Sequence, residues 1–341
     1  MKLFFKIILA MFIALFAWEL ILENTMINAP GSRVHPVIGR VTKPGPHMQG
    51  TEGYAKTTIN SFGMRGPEIA AKTQGEYRIV ALGDSFTLAL AMHDHQTYTQ
   101  LLQEDLKNRG KSSTIVINGG IGGFSPAYHL KLAEYYHRTF QPDYVIVQMN
   151  ETDFTTEIFD AKKNFYVANE NGNFVVKASE SRGSNKDKFI KKYPQMAFID
   201  DLSALATVQI GGKTLERVVK KHRTKDPSPL GSDTSPIVDW TVTRLKEAYP
   251  NLVILFIPQE IDFFKNPQEQ SVVEIQIQNA AKQQDIPFIT MRPAFADHYQ
   301  KTYQIAYGFN NTQPGVGHTN DVGNRLMARE LASFFQREVL K

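Results

Sequence analysis

The sequence predicts an α/β protein, a three-layer α/β/α sandwich with a mostly parallel sheet, preceded by an N-terminal transmembrane helix. After residue 76, short apolar runs alternate with segments of helical periodicity. The first three runs each end in small or polar residues, which is typical of strands whose carboxyl ends line one edge of a parallel sheet. Before this region, residues 3–22 form an apolar run of bilayer-spanning length.

Composition narrows the class of protein. The chain has 341 residues, of which 42% are hydrophobic, enough for one large domain or two small ones. A net charge of +4 gives no signal for a nucleic-acid partner. Cysteine is absent, which excludes disulfides and a thiol nucleophile, and the histidines show no metal-ligand spacing. We therefore expect neither a metal nor an organic cofactor.

The N-terminal segment, residues 1–24, predicts a membrane anchor or a signal segment. Two lysines stand at its start and two glutamates at its end: Lys2, Lys6, Glu19 and Glu23. This asymmetry favours an uncleaved anchor with the rest of the chain outside the cytoplasm, in a periplasmic or extracellular location. The alternative is a cleaved signal and a secreted protein, but the best cleavage site, near Ala17, has the bulky Leu15 at its −3 position.

Residues 25–75 are polar and rich in proline and glycine, so we interpret them as a loop-like stalk and lead-in. Within them, residues 60–67 are too apolar for a pure linker, and we expect these residues to pack on the domain.

The main domain is assigned to residues 76–341. Its predicted strands are 77–82, 113–118, 144–149, 252–257 and 286–291. Its predicted helices begin at residue 86 and cover 95–109, 125–137, 237–249, 271–284 and 321–339. An insertion at about 155–236 interrupts this rhythm. It contains a hairpin at 165–177 around Asn171-Gly172, a polar loop at 179–191, a helix at 201–219 and a basic run at 220–225.

The first strand leads into Gly83-Asp84-Ser85, and the helix that follows places Ser85 at the sheet edge where α/β proteins bind ligands. Two interpretations are open from this motif alone. Ser85 is either a nucleophile or an ordinary helix cap, since serine and aspartate are both preferred at that position.

Three further blocks favour the nucleophile. Residues 118–123 and 150–153 follow the second and third strands, and His318-Thr319-Asn320 precedes the last helix. Together with residues 83–86, these blocks resemble, in chain order, the SGNH/GDSL hydrolase family. Thr87 breaks the G-x-S-x-G pattern, which argues against the nucleophile elbow of the α/β-hydrolase fold.

The resemblance implies a flavodoxin-like strand order and the family's catalytic roles. Ser85 would attack an acyl carbonyl, and His318 would accept its proton. The oxyanion hole would be formed by the backbone N–H groups of Ser85 and Gly123 and by an asparagine side chain after the third strand.

The sequence departs from the family at two positions. Thr152 occupies the position of the family's oxyanion-hole asparagine. Three alternatives are open: Asn150 turns into the oxyanion hole, Thr152 takes the place of the asparagine as donor, or this donor is missing. The usual aspartate three residues before the histidine is Gly315, which favours a Ser-His dyad. A backbone carbonyl, Asp321 or Asp297 would then orient His318. We interpret Asp84 and Asp153 as supporting hydrogen-bond acceptors at strand ends.

These features predict a membrane-anchored serine esterase, or an O-acyltransferase, that acts on acyl esters at the cell envelope, O-acylated glycans among them. The rival hypothesis is a catalytically silent envelope protein that binds glycan or assists assembly, and the departures at Thr152 and Gly315 favour it.

Overall fold

The computed structural model describes residues 2–25, 31–50, 52–179, 233–259 and 266–339, together with residues 192, 193, 195, 261 and 263. The polar loop predicted after residue 179, the helix predicted at 201–219 and the basic run at 220–225 lie outside the described residues.

Five parallel strands form the central sheet: β5 (Tyr77–Gly83), β6 (Thr114–Gly120), β7 (Tyr144–Met149), β10 (Leu252–Phe256) and β11 (Phe288–Thr290). Their spatial order is β11-β10-β7-β5-β6. Numbered along the chain, this is the flavodoxin order, with its switch point between β5 and β7. The predicted α/β fold class and parallel sheet are confirmed.

Helices cover both faces of the sheet because successive strand residues point to opposite sides. Val80 and Leu82 belong to one buried cluster, and Ile79 and Ala81 to the other. The first cluster is covered by α4 (Pro126–Lys131), α5 (Ala133–Phe140), α6 (Ser235–Ala248) and α7 (Val272–Gln283). The second is covered by α3 (Tyr98–Asn108), α8 (Arg292–Thr302) and α9 (Asp321–Phe334). The three predicted layers are therefore present.

Several predicted boundaries differ from the structure. The helix predicted from residue 86 is the single turn α2 (Ser85–Leu88), because Ala89 adopts a left-handed conformation and ends it. The helix predicted at 125–137 is divided into α4 and α5 at Leu132. Helix α8 was not predicted, since its apolar residues form no clear stripe and a proline stands in its first turn.

The lead-in contains regular structure where a loop was expected. It forms two antiparallel hairpins, β1 (Ser32–His35) with β2 (Gly39–Thr42) and β3 (Gly45–Gln49) with β4 (Ala55–Ile59). In β4, buried and exposed residues alternate, which is the pattern of a half-buried strand. The sequence did not predict this strand because its residues are mostly short or polar. Residues 60–67 pack on the domain, as expected, with Met64 fully buried and the Phe62 ring 5.2 Å from that of Phe140.

The predicted hairpin of the insertion is present as β8 (Phe165–Glu170) and β9 (Asn173–Ala178). Asn171 and Gly172 both have positive φ, +54° and +88°, as the two-residue turn requires.

Helix α1 (Lys2–Thr25) is the apolar N-terminal segment. Its stretch Lys2–Ile21 is long and apolar enough to cross a membrane, and none of it is buried against the rest of the described chain.

Arg65 joins the lead-in to the loop that follows the nucleophile turn. Its guanidinium is buried, donates to the backbone carbonyls of Leu88, Ala89 and Met92, and lies 3.0 Å from Asp94. Burial lowers the pKa of Arg65 to about 10, against the opposing charge of Asp94, so the side chain stays protonated at neutral pH.

We expect Arg65→Met to destabilise the fold by roughly 2–4 kcal/mol, because it leaves buried carbonyls without donors. Arg325→Met is the matched control, since the described ion pair of that arginine, with Asp321, is exposed. Its loss is expected to cost under about 1 kcal/mol. Urea unfolding of both variants checks this. Equal stability losses would show that Arg65 does not hold the lead-in.

Candidate active site

Ser85 stands where strand β5 ends and α2 begins, next to the switch point of the sheet. Asp84 caps this turn, because its Oδ1 accepts a hydrogen bond of 2.8 Å from the Phe86 N–H. The side chain of Thr87 reaches back to Tyr98 and Gln148, at 3.0 and 3.2 Å, and fixes the turn from below. These contacts hold Ser85 at the carboxyl edge of the sheet.

His318 lies beside Ser85, with 2.7 Å between its Nε2 and the serine Oγ. The imidazole packs on Phe86, the two ring centroids being 5.0 Å apart. Asn320 caps the helix α9 that follows, accepting from the N–H groups of Val322 and Gly323, and so fixes the direction in which the chain enters that helix. The two predicted catalytic residues are thus within hydrogen-bonding distance of each other.

The carboxylate that orients His318 comes from Glu52 in the lead-in. Glu52 Oε2 lies 2.5 Å from His318 Nδ1, and Oε1 accepts a hydrogen bond of 2.6 Å from the His318 backbone N–H. The expected orienters lie elsewhere: Asp321 pairs with Arg325, and Asp297 is hydrogen-bonded by Gln268. The dyad expectation is therefore corrected to a continuous Ser85–His318–Glu52 arrangement.

The turn that carries Glu52 is fixed to the loop that carries His318. Asn311 Oδ1 accepts from the Gly53 N–H at 2.8 Å, and its Nδ2 donates to the Gly50 carbonyl at 2.9 Å. Gly317 adopts φ +94°, and a Cβ built there would lie 2.2 Å from Glu52 Oε1. The absence of a side chain at residue 317 therefore lets the carboxylate reach the histidine.

The charges of this pair support each other. Burial by itself would lower the pKa of His318, but the hydrogen bond and charge of Glu52, with the charge of Asp84, raise it above its ordinary value. Burial would raise the pKa of Glu52, and its contacts with His318 lower it instead. Glu52 is therefore ionised near neutral pH and stabilises the imidazolium.

The predicted side-chain donors of the oxyanion hole are engaged elsewhere. Asn150 is fully buried, and its Nδ2 donates to Asp84 Oδ2 at 2.8 Å. The Thr152 hydroxyl lies 2.8 Å from Asn150 Oδ1 and donates to it. In the part of the chain that the structure describes, no hydrogen bond joins either side chain to Ser85 or His318, so the three alternatives for the side-chain donor stay predictions.

Two backbone N–H groups at the carboxyl edge of the sheet are candidates for the oxyanion hole. Among the described residues, the N–H groups of Ser85 and Gly123 have no hydrogen-bond partner. Gly123 has φ +77° and is the third residue of a turn closed by the bond from the Phe124 N–H to the Ile121 carbonyl. That bond leaves the Gly123 N–H available to an acyl oxygen.

Below Ser85 lies a cluster of three carboxyl groups, Asp84, Asp153 and Glu157, whose oxygens lie within 4.8 Å of one another. Burial, with the charge of Glu157, raises the pKa of Asp84 to about 6. Burial and the charge of Asp84 raise that of Asp153 well above its usual value. Hydrogen-bond donors already meet several of these oxygens, namely Phe86 N–H, both nitrogens of Asn150 and the Lys163 ammonium. A cation held here would displace them.

No protein-family model and no curated protein matches the chain. Solved structures are similar to it. A two-domain esterase active on acetylated mannans, co-crystallised with mannopentaose, has a TM-score of 0.43 and 13% identity over 78% of this chain and 50% of its own. The chain thus spans half the length of that protein. An acetyl xylan esterase from Geobacillus stearothermophilus has a TM-score of 0.41 and 12% identity, covering 78% and 97% of the two chains.

A lipase/acylhydrolase from Enterococcus faecalis has a TM-score of 0.40 and 15% identity, covering 76% of this chain and 95% of its own. The three structures are described as two esterases and a lipase/acylhydrolase. At these scores the likenesses carry no argument about activity, which depends on the geometry of the site.

We expect Glu52→Gln to lower kcat/KM for an acetyl ester by about 10²–10⁴-fold, since losing the orienting carboxylate of a serine-protease triad costs about 10⁴. In the wild-type protein, kcat/KM should rise with pH through an inflection above the ordinary histidine value of 6.5. The inflection should move down in the variant, because the raising charge is gone. Glu68→Gln, on another carboxylate of the lead-in, is the control. An unchanged rate and inflection in Glu52→Gln would remove Glu52 from the mechanism.

Two glycines of the histidine loop form a matched pair for a second test. Gly315 and Gly317 have φ +80° and +94°, so alanine strains the backbone at both, by about 1 kcal/mol or more. Only at residue 317 does the new Cβ meet the Glu52 carboxylate, whereas at 315 the nearest atoms, from Ile305, are 3.9 Å away. We expect a lower thermal midpoint in both variants but a loss of esterase rate in Gly317→Ala alone. Equal rates would contradict the assigned contact.

Proposed function

We propose that this chain is a serine carboxylic-ester hydrolase that uses Ser85, His318 and Glu52. The observation that carries the proposal is the unbroken sequence of contacts from Ser85 Oγ to His318 Nε2, at 2.7 Å, and from His318 Nδ1 to Glu52, at 2.5 Å. A nucleophile next to a base that is itself oriented by a third group is the arrangement that activates a serine hydroxyl.

The chemistry follows from these atoms. Ser85 Oγ attacks the acyl carbonyl as its proton passes to His318 Nε2, and Glu52 stabilises the imidazolium. The carbonyl oxygen takes up the negative charge at the N–H groups of Ser85 and Gly123. Collapse of this intermediate breaks the ester bond, and His318 returns the proton to the departing alcohol. Water then attacks the acyl-serine by the same steps in reverse, and a second alcohol in its place gives acyl transfer.

We propose O-acylated glycans of the cell envelope as the substrate class. Helix α1 supports this choice, because its length and apolar composition suit an anchor, and the lysines at its start favour a domain outside the cytoplasm. A screen of p-nitrophenyl esters from acetate to octanoate against O-acetylated oligosaccharides would separate glycan from lipid substrates. Preference for long acyl chains would contradict the glycan assignment.

The rival function is a silent envelope protein that retains the cleft without turnover. One observation favours it: the Asn150 and Thr152 donors are engaged within the protein, which leaves two backbone donors. The other argument for it, the missing aspartate at Gly315, loses its force because Glu52 contacts His318.

We expect Ser85→Ala to abolish ester hydrolysis and labelling by a fluorophosphonate probe, with the thermal unfolding midpoint nearly unchanged. The substitution removes a single oxygen atom and leaves no large cavity, so the fold is spared. Turnover and labelling are measured side by side in both proteins. Failure of the wild-type protein to label would favour the silent protein, and equal turnover in the variant would remove Ser85 from the mechanism.

A further inference from the structure

Lys163 contacts the loop that carries the second backbone donor. Its ammonium donates to the carbonyl of Gly123 at 2.7 Å and to Glu157 Oε2 at 3.0 Å. The Lys163 side chain is only 16% exposed, so salt screens its ion pair with Glu157 less than it screens a fully exposed pair. Lys163 belongs to the insertion after β7, a part of the chain to which the sequence assigned no role in the site.

Packing does little to hold Gly123 itself. The residue is exposed, and a Cβ built on it would find no atom within 4 Å. Glycine adopts positive and negative φ at similar energy, so its own backbone does not fix the direction of the Gly123 N–H. That direction depends on the contacts of the neighbouring groups. The lysine contact fixes the carbonyl of the same residue.

Lys163 itself stands on a firm support. The next N–H along the chain, that of Asn164, donates to the Tyr128 hydroxyl at 2.8 Å. The ring of Tyr128 stacks on Phe124, with 3.8 Å between centroids, and Phe124 directly follows Gly123. The neighbours of Lys163 and of Gly123 thus both contact Tyr128 of α4, and this shared contact keeps the lysine close to the glycine loop.

The charge of Lys163 also suits this position. Because the side chains of Asn150 and Thr152 donate elsewhere, the oxyanion would have only two backbone donors, close to the three carboxyl groups of the buried cluster. A fixed ammonium pairs with Glu157 and adds a favourable field for developing negative charge.

We propose that Lys163 is a positioning residue for the oxyanion hole: by holding the Gly123 carbonyl it restricts the φ and ψ of this glycine, and so directs the N–H on the other side of the Gly123 Cα towards the acyl oxygen, which offsets the missing side-chain donor. This inference rests on the proposed esterase function. Lys163 acts through Gly123, so its removal affects the transition state more than substrate binding.

The test compares Lys163→Met, which keeps most of the length of the side chain without a donor or a charge, with Lys163→Arg, which keeps both the donor and the charge. Lys162→Met, on the exposed neighbour, is the control. With p-nitrophenyl acetate we expect kcat to fall by about 10- to 100-fold in the methionine variant, less than for a deleted donor. KM should stay within about twofold, and arginine should restore kcat to within about fivefold of wild type.

Each other outcome overturns the inference. These are a kcat in Lys163→Met within twofold of wild type, a raised KM with unchanged kcat, or an arginine variant as slow as the methionine variant. The thermal unfolding midpoint of each variant is measured together with its kcat. If Lys163→Met does not fold, Lys163→Ala takes its place. If the wild-type protein lacks turnover that depends on Ser85, the proposed function itself fails and the inference falls with it. If wild type turns over normally, only the role of Lys163 is at stake.

Discussion

The contact between the Glu52 carboxylate and His318 is the interaction on which the rest of the site depends. Glu52 binds His318 at two points, the ring nitrogen Nδ1 and the backbone N–H, and so orients the imidazole with Nε2 towards Ser85. It also sets the protonation behaviour of the pair, since a carboxylate at this distance favours the charged imidazole. Without it, the serine would sit beside a histidine that is free to rotate, and the turn at Gly83-Asp84-Ser85 would be little more than a helix start.

This contact makes the lead-in a part of the site. Glu52 stands between the strands β3 and β4, and Asn311 fixes its turn to the loop of His318. Arg65 fixes the same region to the backbone that follows α2. The residues before the α/β domain thus contact the site at two places. Arg65 binds the backbone next to the nucleophile turn, and Glu52 binds the histidine of the loop before α9. The insertion after β7 supplies Lys163 on the side of Gly123.

The sequence predicted the sheet well because apolar strands that are buried on both faces leave a strong local signal, as in residues 77–82. It also proposed Ser85, Gly123 and His318 as site residues, since each stands at a strand end or helix start with recognisable small or polar neighbours, and the structure places Ser85 and His318 within hydrogen-bonding distance of each other. Glu52 could not be located in this way. Its role comes from a contact across 266 residues, and a single carboxylate in a polar segment has no local pattern. The one indication was negative: a glycine at residue 315 where an acid was expected, with a second glycine at 317 that leaves room for an acid from elsewhere. The contact of Asn150 could not be predicted for a related reason, because its acceptor, Asp84, follows another strand of the sheet.

The central claim, that a carboxylate from the lead-in orients the catalytic base, is tested most directly by proton NMR of the detergent-solubilised chain with ¹⁵N-labelled histidine. A short hydrogen bond from Nδ1–H to a carboxylate moves that proton far downfield of the backbone amides. We predict such a resonance from His318, bound to Nδ1, lost in Glu52→Gln and retained in Glu68→Gln, with the ring titrating above its ordinary value of 6.5 in the wild-type protein. A His318 ring without this resonance, titrating at or below 6.5, would contradict the account.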